Sequence, residues 1–361
     1  MDPNTGTVGD GSRSAPTVDL RSDVLAPPTP AMFEAMERVA IGWPLKGEDP
    51  TVNELERLGA EMLGLEAALF VPNATTANLL AVHTQGTRGG AVLMDELAHI
   101  NVVEWYPLAL AGLLPRTVPS DRGHLDPAVV DAALADGAGG RAPRTDLLVL
   151  ENTHTFAGGV PIEPAETAAL AAVAHRHGAR VHLDGARLFD AVVALGVPAP
   201  ELVAGVDTVA ISLSKGLCAP YGGLLVGSRA TVEAARDLAN RIGFGRVHKA
   251  GYFAAAGIVG LQTMIPRLAD DHVRARRLGK AMAGMPGLEV DLSTVRTNLV
   301  NARVDERVGD PAALVARLQE QGLGMMAMPG RVLRAVVHRG VDDAGIDTAI
   351  VILREELAKA G

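Results

Sequence analysis

The chain has little of several residue types, and each shortage excludes a class of protein. It contains one cysteine, Cys218, which excludes an internal disulfide framework and fits a reducing compartment. No apolar run reaches the roughly 18 residues that a membrane span needs, and no charged-then-apolar leader opens the chain. The formal net charge of −9 argues against a nucleic-acid partner. We therefore expect a cytoplasmic protein that does not bind membranes.

The hydrophobic content is high, and its pattern predicts two domains. Hydrophobic residues make up 48% of the 361 residues, which is enough to bury one large and one smaller core. Short β-prone runs alternate with helical patterns, as in a mainly parallel sheet that helices cover on both faces, and the last hundred or so residues mix strands and helices as a smaller α+β domain does. We predict a disordered leader at 1–17, an N-terminal segment packing near the predicted site at 18–45, a large domain at 46–266 and a small C-terminal domain at 267–361.

The centre of the large domain carries the strongest chemical signal. Two β-prone runs, 180–184 and 207–213, lead into Asp184-Gly185 and Lys215-Gly216, and an apolar helical pattern lies between them. Such a βαβ unit brings a carboxylate and an amine to one edge of a parallel sheet. A nucleophilic Lys and an ionised Asp are what a pyridoxal phosphate site needs. An Asp at a strand end also caps helices, and a Lys after a strand is usually solvated, so this pair alone leaves both interpretations open.

The sequences around the pair resemble a known family. HLDGAR at 182–187 and LSKGL at 213–217 resemble the threonine aldolase branch of the pyridoxal phosphate enzymes with the aspartate aminotransferase-like fold, also called fold type I. GEDPTVN at 47–53 and ENTH at 151–154 extend the resemblance, which runs from residue 18 to the C-terminus. It implies a lyase that cleaves β-hydroxy-α-amino acids, with threonine or allo-threonine as the default substrate, to glycine and an aldehyde.

The resemblance also implies roles for individual residues. Lys215 forms the covalent bond to the cofactor, Asp184 pairs with the ring nitrogen, and His99 stacks on the ring and handles the proton of the substrate hydroxyl. The phosphate-binding turn corresponds to Asn73, Ala74 and Thr75, where the family usually has Ser-Gly-Thr. The substrate carboxylate corresponds to Ser22, Arg187 and Arg334, and Arg187 also lies close to the cofactor. Taken singly, each of these residues also fits a helix cap or a surface position.

One region departs from the family pattern. The family has an Arg before the residue matching Gly251 that reaches the cofactor phosphate, whereas this chain has His248 there, with Arg246 and Lys249 as other candidates. The resemblance implies a homodimer or homotetramer with shared active sites, acting on a small amino acid. Two alternatives stay open: β-elimination, racemisation or synthesis of a β-hydroxy amino acid, and a degenerate member that does not catalyse.

Other chemistry has little support in the sequence. No spacing of His, Cys and carboxylate residues suggests a metal site. Cys218 is expected to be a small buried hydrophobe. Met325, Met326 and Met328 are expected in the core of the small domain.

Overall fold

The computed structural model describes residues 16–138, 142–245 and 247–359. The predicted leader at 1–17 lies outside the described residues except for its last two, and so does the candidate Arg246. Within the described part of the chain, no helix is long and apolar enough to span a membrane.

The N-terminal segment begins with a short strand and two capped helices. These are β1 (Val18–Asp19), α1 (Pro30–Glu37) and α2 (Pro50–Leu63). The side chain of Asp49 accepts hydrogen bonds from the backbone N–H groups of Thr51 and Val52, which satisfies the free donors at the start of α2. The helix ends at Gly64, whose φ of 65° favours glycine.

The large domain contains a seven-stranded sheet with strand order β2-β8-β7-β6-β5-β3-β4. Its strands are β2 (Ala67–Val71), β3 (Ala91–Asp95), β4 (Leu114–Val118), β5 (Thr145–Glu151), β6 (Arg180–Gly185), β7 (Thr208–Ser212) and β8 (Gly223–Gly227). The helices of this part are α3 (Ala74–Gln85), α4 (His99–Val102), α5 (Tyr106–Ala111), α6 (Pro127–Ala138), α7 (Pro164–Arg176), α8 (Leu188–Leu195), α9 (Ala199–Leu202), α10 (Arg229–Ile242) and α11 (Gly251–Val259).

The sheet is parallel except at β8. Strand β8 runs antiparallel to both of its neighbours, β2 and β7. All residues of β3, β5, β7 and β8 are buried, which explains their continuous apolar sequences, because helices cover both faces. The predicted fold class, a mainly parallel sheet between helices, is confirmed.

The small unit is built from both ends of the described chain. Its C-terminal elements are α12 (Leu268–Ala283), β9 (Leu288–Glu289), β10 (Leu299–Val304), α13 (Pro311–Glu320), β11 (Leu323–Gly324), β12 (Met326–Met328), β13 (Val332–Val336) and α14 (Asp343–Ala358). Strands β12, β13, β10 and β9 form an antiparallel sheet in that order. Strand β1 pairs in parallel with β11, and Val18 and Leu20 are buried in the same core. The N-terminal segment is therefore tied to the C-terminal unit.

Two local expectations differ from the structure. The sequence has long helical patterns from residue 230 to about residue 268, which predict extended helices there. The structure interrupts them between α10 and α11, because Gly243 ends α10 with a φ of 96°. Met325 is buried, but Met326 and Met328 are only partly buried and face a cavity. Strand β12 pairs with β13 alone, so alternate side chains at this sheet edge need not enter the core.

Candidate active site

A cavity of about 400 Å³ opens where β6 and β7 end. These strands are parallel neighbours, with Asp184 opposite Ala210, so the residues that follow them meet at one edge of the sheet. The cavity is lined by all but one of the residues that the sequence assigned to the site: Ser22, Asn73, Ala74, Thr75, His99, Asp184, Arg187, Lys215 and Arg334.

Lys215 supplies an amine to this cavity from the loop after β7. Burial lowers the pKa of Lys215, and the positive charge of Arg187 lowers it further. The carboxylates of Asp23, Asp184 and Glu104 act in the opposite direction without reversing the shift. A lowered pKa increases the fraction of uncharged amine, which is the form that attacks a carbonyl carbon.

Asp184 is a buried carboxylate at the end of β6. Its Oδ2 accepts a hydrogen bond from Asn78 Nδ2 at 3.0 Å, and its Oδ1 accepts one from the backbone N–H of Ala186 at 3.1 Å. Burial raises the pKa of Asp184, and the negative charges of Glu151 and Glu104 add to that rise. A positively charged group placed against this carboxylate would stabilise the ionised form.

His99 begins α4 beside two other carboxylates. Its backbone N–H donates to Glu151 Oε2 at 2.7 Å, and its Nδ1 lies 3.1 Å from Glu104 Oε1. Burial favours the neutral imidazole, but the hydrogen bond to Glu104 and the charges of Asp184, Glu104 and Glu151 outweigh it and raise the pKa of His99. The imidazole is therefore a stronger base than an unperturbed histidine.

The turn before α3 presents a helix N-terminus to the cavity. The side-chain oxygen of Asn73 accepts a hydrogen bond from the backbone N–H of Thr76 at 2.8 Å, so Asn73 is the N-cap. Ala74 is the first residue of the helix, so the position does not need the positive φ that would require glycine. The Thr75 hydroxyl donates to Glu104 Oε1 at 2.6 Å. Free N–H groups at such a helix start favour an anion.

The two candidate arginines differ in how their guanidinium groups are engaged. Arg187 donates from Nε and Nη2 to both oxygens of Asp23, at 2.7 and 2.8 Å, and from Nη1 to Thr155 Oγ1 at 3.1 Å. Arg334 Nη2 contacts Met326 Sδ at 3.2 Å, while its buried Nε has no hydrogen-bond partner among the described residues. Burial, together with the charge of Arg187, lowers the pKa of Arg334 to about 10. Arg334 is thus a buried cation available to an anion.

His248 is not brought to this cavity. It lies beside a separate pocket of about 140 Å³ that Trp43, Pro44 and Leu45 also line. Lys249 is exposed and has a φ of 58°. His248 and Lys249 therefore do not line the cavity of their own chain. Arg246, the third candidate for the phosphate contact, lies outside the described residues.

The groups that line the cavity fit pyridoxal phosphate. An amine of lowered pKa, a buried carboxylate, an imidazole and the N-terminus of α3 correspond to the aldehyde, the ring nitrogen, the ring face and the phosphate of that cofactor. Among the described residues, no group of three or more His, Cys, Asp or Glu side chains could hold a metal ion.

Sequence reasoning missed several residues that organise the site: Asp23, Asn78, Glu104, Glu151 and Thr155. Their roles depend on contacts between elements that are distant in sequence, such as Asp23 with Arg187. A partial signal existed for Asn78, since it is a polar residue within the otherwise apolar run that follows the turn at Asn73. Glu104 lies five residues after His99 and beyond the end of α4, so helical spacing does not predict that the two side chains meet.

Comparison with known proteins gives a consistent result. Residues 19–305 match the family model of the beta-eliminating lyases. The low-specificity L-threonine aldolase 1 of Arabidopsis thaliana is 36% identical over 91% of this chain and 93% of its own length. The low-specificity L-threonine aldolase of Escherichia coli K12 is 34% identical over 90% and 94%, respectively.

Solved structures show the same fold. The threonine aldolase of Leishmania major superimposes with a TM-score of 0.79 at 19% identity and covers 94% of this chain and 99% of its own. A Listeria monocytogenes protein assigned as an L-allo-threonine aldolase superimposes with a TM-score of 0.75 at 19% identity. The match covers 95% of this chain and 97% of that protein's chain. On the strength of the matched model and of relatives above 30% identity over nearly the whole length, the chain belongs to the beta-eliminating lyase family of pyridoxal phosphate enzymes, in its threonine aldolase branch.

Proposed function

We propose that the protein is a pyridoxal phosphate-dependent aldolase that cleaves L-threonine or L-allo-threonine, and related β-hydroxy-α-amino acids, to glycine and an aldehyde. The observation that carries the proposal is the convergence of Lys215, Asp184, His99 and Arg334 on one cavity. The similarity to low-specificity L-threonine aldolases supports the same substrate class.

In this function, Lys215 and Asp184 would bind the cofactor. The uncharged amine of Lys215 would hold the cofactor through its aldehyde carbon, with loss of water, and the carboxylate of Asp184 would pair with the protonated ring nitrogen. When bound, pyridoxal phosphate accepts the electron pair that remains on Cα after the Cα–Cβ bond breaks. Asn73, Ala74 and Thr75 hold the phosphate with the N-terminus of α3.

Arg334 binds the substrate carboxylate, with the hydroxyl of Ser22 as a further donor. The unpaired Nε of Arg334 supports this role because it is a buried donor without a partner in the described chain. Arg187 contributes positive charge, while its bidentate bond to Asp23 holds the segment that carries Ser22. Fixing the carboxylate orients the Cα–Cβ bond for cleavage.

His99 accepts the proton of the substrate β-hydroxyl. The oxygen then forms the carbonyl of the aldehyde as the Cα–Cβ bond breaks, and protonation of Cα gives glycine. A raised pKa, caused by Glu104, Asp184 and Glu151 against the effect of burial, supports an imidazole that can keep this proton until it is returned.

The experiment that tests the function combines a spectrum with a product assay. The purified protein should absorb visible light after addition of pyridoxal phosphate, and it should release acetaldehyde and glycine from threonine or allo-threonine. Lys215→Ala should lose both the absorbance and the reaction. Visible absorbance that is unchanged in Lys215→Ala contradicts the proposed cofactor lysine. Release of pyruvate and ammonia from serine, without acetaldehyde from threonine, would favour β-elimination instead.

The proposed assembly is a cytoplasmic homodimer or homotetramer whose active sites are shared between subunits. Large exposed apolar side chains on the N-terminal segment and after α4 support an interface: Phe33, Trp43, Trp105, Tyr106 and Leu110. The position of His248 outside its own cavity supports a contribution to a neighbouring site. Light scattering should give a multiple of the monomer mass, and a monomeric mass for active protein contradicts the shared site.

A further inference from the structure

Asn78 connects two of the carboxylates at the cavity. It is fully buried on α3, and its Nδ2 lies 3.0 Å from Glu104 Oε2 and 3.0 Å from Asp184 Oδ2. An amide NH₂ group has two hydrogens, so each carboxylate receives one. Glu104 in turn contacts His99, which places one side chain between the predicted ring-nitrogen partner and the predicted base.

The two carboxylates set the orientation of this amide, and a hydrogen bond to its oxygen agrees with it. Asn78 Oδ1 lies 2.9 Å from His182 Nε2, and His182 Nδ1 lies 2.9 Å from Thr208 Oγ1. Burial lowers the pKa of His182 to about 4, so the ring is neutral and donates from a single nitrogen. The amide oxygen of Asn78 can only accept, so Nε2 carries the hydrogen of the neutral ring and Nδ1 accepts from the Thr208 hydroxyl. Thr208 Oγ1 in turn accepts a hydrogen bond from Gln85 Nε2 at 2.7 Å.

All bonds of this chain therefore point the same way, toward the carboxylates. The four residues from Gln85 to Asn78 are buried, and a flipped Asn78 would set its oxygen against both Asp184 and Glu104. Such a reversal would leave three acceptors in contact without a hydrogen between them, at a cost of several hydrogen bonds. Of the two orientations of the Asn78 amide, only the observed one gives a hydrogen to both carboxylates, and it keeps Asp184 an acceptor.

We propose that Asn78 is a positioning residue that joins Asp184 and Glu104 into one hydrogen-bonded unit and thereby keeps Asp184 ionised for the cofactor. The proposal rests on the proposed function only in that the cofactor is pyridoxal phosphate. The titratable groups that face Asp184 are Glu151 and Glu104, which oppose its ionisation, and His99, Lys215 and His154, which favour it when charged. Without Asn78 the two neighbouring carboxylates would repel each other with no shared donor, so a proton would bind to Asp184 at higher pH.

The test is the dissociation constant of pyridoxal phosphate for the apoprotein, followed by visible absorbance between about pH 6 and about pH 9. Asn78→Ala should weaken binding by about tenfold to a hundredfold at the acidic end, the range expected for a lost hydrogen bond to a charged group. The ratio to the wild-type constant should shrink as the pH rises, because Asp184 then ionises without help.

Gln85→Leu is the matched control. It removes a buried amide from the same helix without touching Asp184 or Glu104, and its dissociation constant should stay within about twofold of wild type even if its melting temperature falls. Wild-type affinity and pH dependence in Asn78→Ala overturn the proposal, and so does equal weakening in Gln85→Leu. If Asn78→Ala does not fold, the dissociation constant and its pH dependence are measured for Asn78→Ser instead, and the same outcomes support or overturn the proposal. Wild-type protein that does not bind pyridoxal phosphate refutes the proposed function instead.

Discussion

At the scale of single residues, two arginines of the site have the same charge but different hydrogen-bond partners. Asp23 occupies the bidentate face of Arg187, whereas Arg334 keeps a buried N–H group without a partner in the described chain. The first arrangement neutralises a buried carboxylate, and the second leaves a donor for the proposed contact with a substrate carboxylate. The two arginines should therefore respond differently to substitution.

Arg334→Ala should impair substrate binding and leave the fold intact. Loss of a charged hydrogen bond to the substrate carboxylate should raise the KM for threonine by about tenfold to a hundredfold. The melting temperature and the dissociation constant of pyridoxal phosphate should remain near the wild-type values. Steady-state kinetics and thermal denaturation check this expectation, and an unchanged KM would remove Arg334 from the substrate site.

Arg187→Ala should impair the fold itself. The substitution leaves Asp23, which is fully buried, without its ion-pair partner, at a cost of about 3–5 kcal/mol of unfolding free energy. Urea denaturation of the two arginine variants, compared side by side, measures the difference. Equal stability of Arg187→Ala and wild type would show that Asp23 finds another partner.

At the scale of elements, the position of α3 relative to β8 sets the anion site. Gly223 begins β8 and pairs with Ser212 of β7. A Cβ built on Gly223 would lie 2.7 Å from the backbone oxygen of Ile211 and 2.9 Å from the backbone nitrogen of Ala74. The glycine thus permits the sheet and the start of α3 to approach closely. The position requires glycine because a Cβ atom would not fit, and not because of a positive φ.

Gly223→Ala should therefore displace the N-terminus of α3. We expect a loss of about 1–3 kcal/mol of unfolding free energy from overpacking, together with weaker binding of pyridoxal phosphate. Gly178→Ala is a control for the loss of a glycine, since its site is open, although its φ of 72° also strains alanine. Unfolding by urea and cofactor titration give the two quantities. Weaker cofactor binding in Gly178→Ala to the same degree would contradict the local explanation.

At the scale of the whole molecule, a buried neutral histidine makes stability depend on pH. Burial lowers the pKa of His182 from 6.5 to about 4 in the folded protein. The unfolded chain therefore binds more protons at His182 than the folded chain does in this interval, so the contribution of His182 to the free energy of unfolding falls as the pH drops from 6.5 toward 4. Asp23, whose pKa is lowered by Arg187 against the effect of burial, adds a loss only in stronger acid, below the ordinary range of Asp.

The expected contribution of His182 is of the order of 3 kcal/mol over this interval. Urea denaturation at several pH values between 6.5 and 4 measures the free energy of unfolding as a function of pH. In His182→Gln, the pH dependence that His182 contributes should be lost. Asp23→Asn should leave that dependence unchanged, although it lowers stability at every pH. A slope that is identical in His182→Gln and wild type would assign the acid sensitivity to other groups.

Much of the large domain could be predicted from the sequence because its signals are local. Strands that are buried on both faces have continuous apolar runs, and the two β-prone runs around 180–184 and 207–213 became the adjacent parallel strands β6 and β7. Asp184 and Lys215 follow those strands directly, so their meeting at one cavity could be expected from topology alone. Nine of the ten residues that the sequence assigned to the site line that cavity.

The sequence by itself determined the fold class, the family and the amine–acid pair, since these depend on short motifs and on periodicity. Only the tertiary structure decided the pairing of β1 with β11 and the ion pair of Arg187 with Asp23. It also decided that Arg334 Nε has no partner in the described part of the chain and that Asn78 bridges two carboxylates. The physical reason is that these contacts join residues up to about 300 positions apart, between Val18 and Leu323. Whether a buried polar group is satisfied depends on all the elements packed around it, and no local pattern records that.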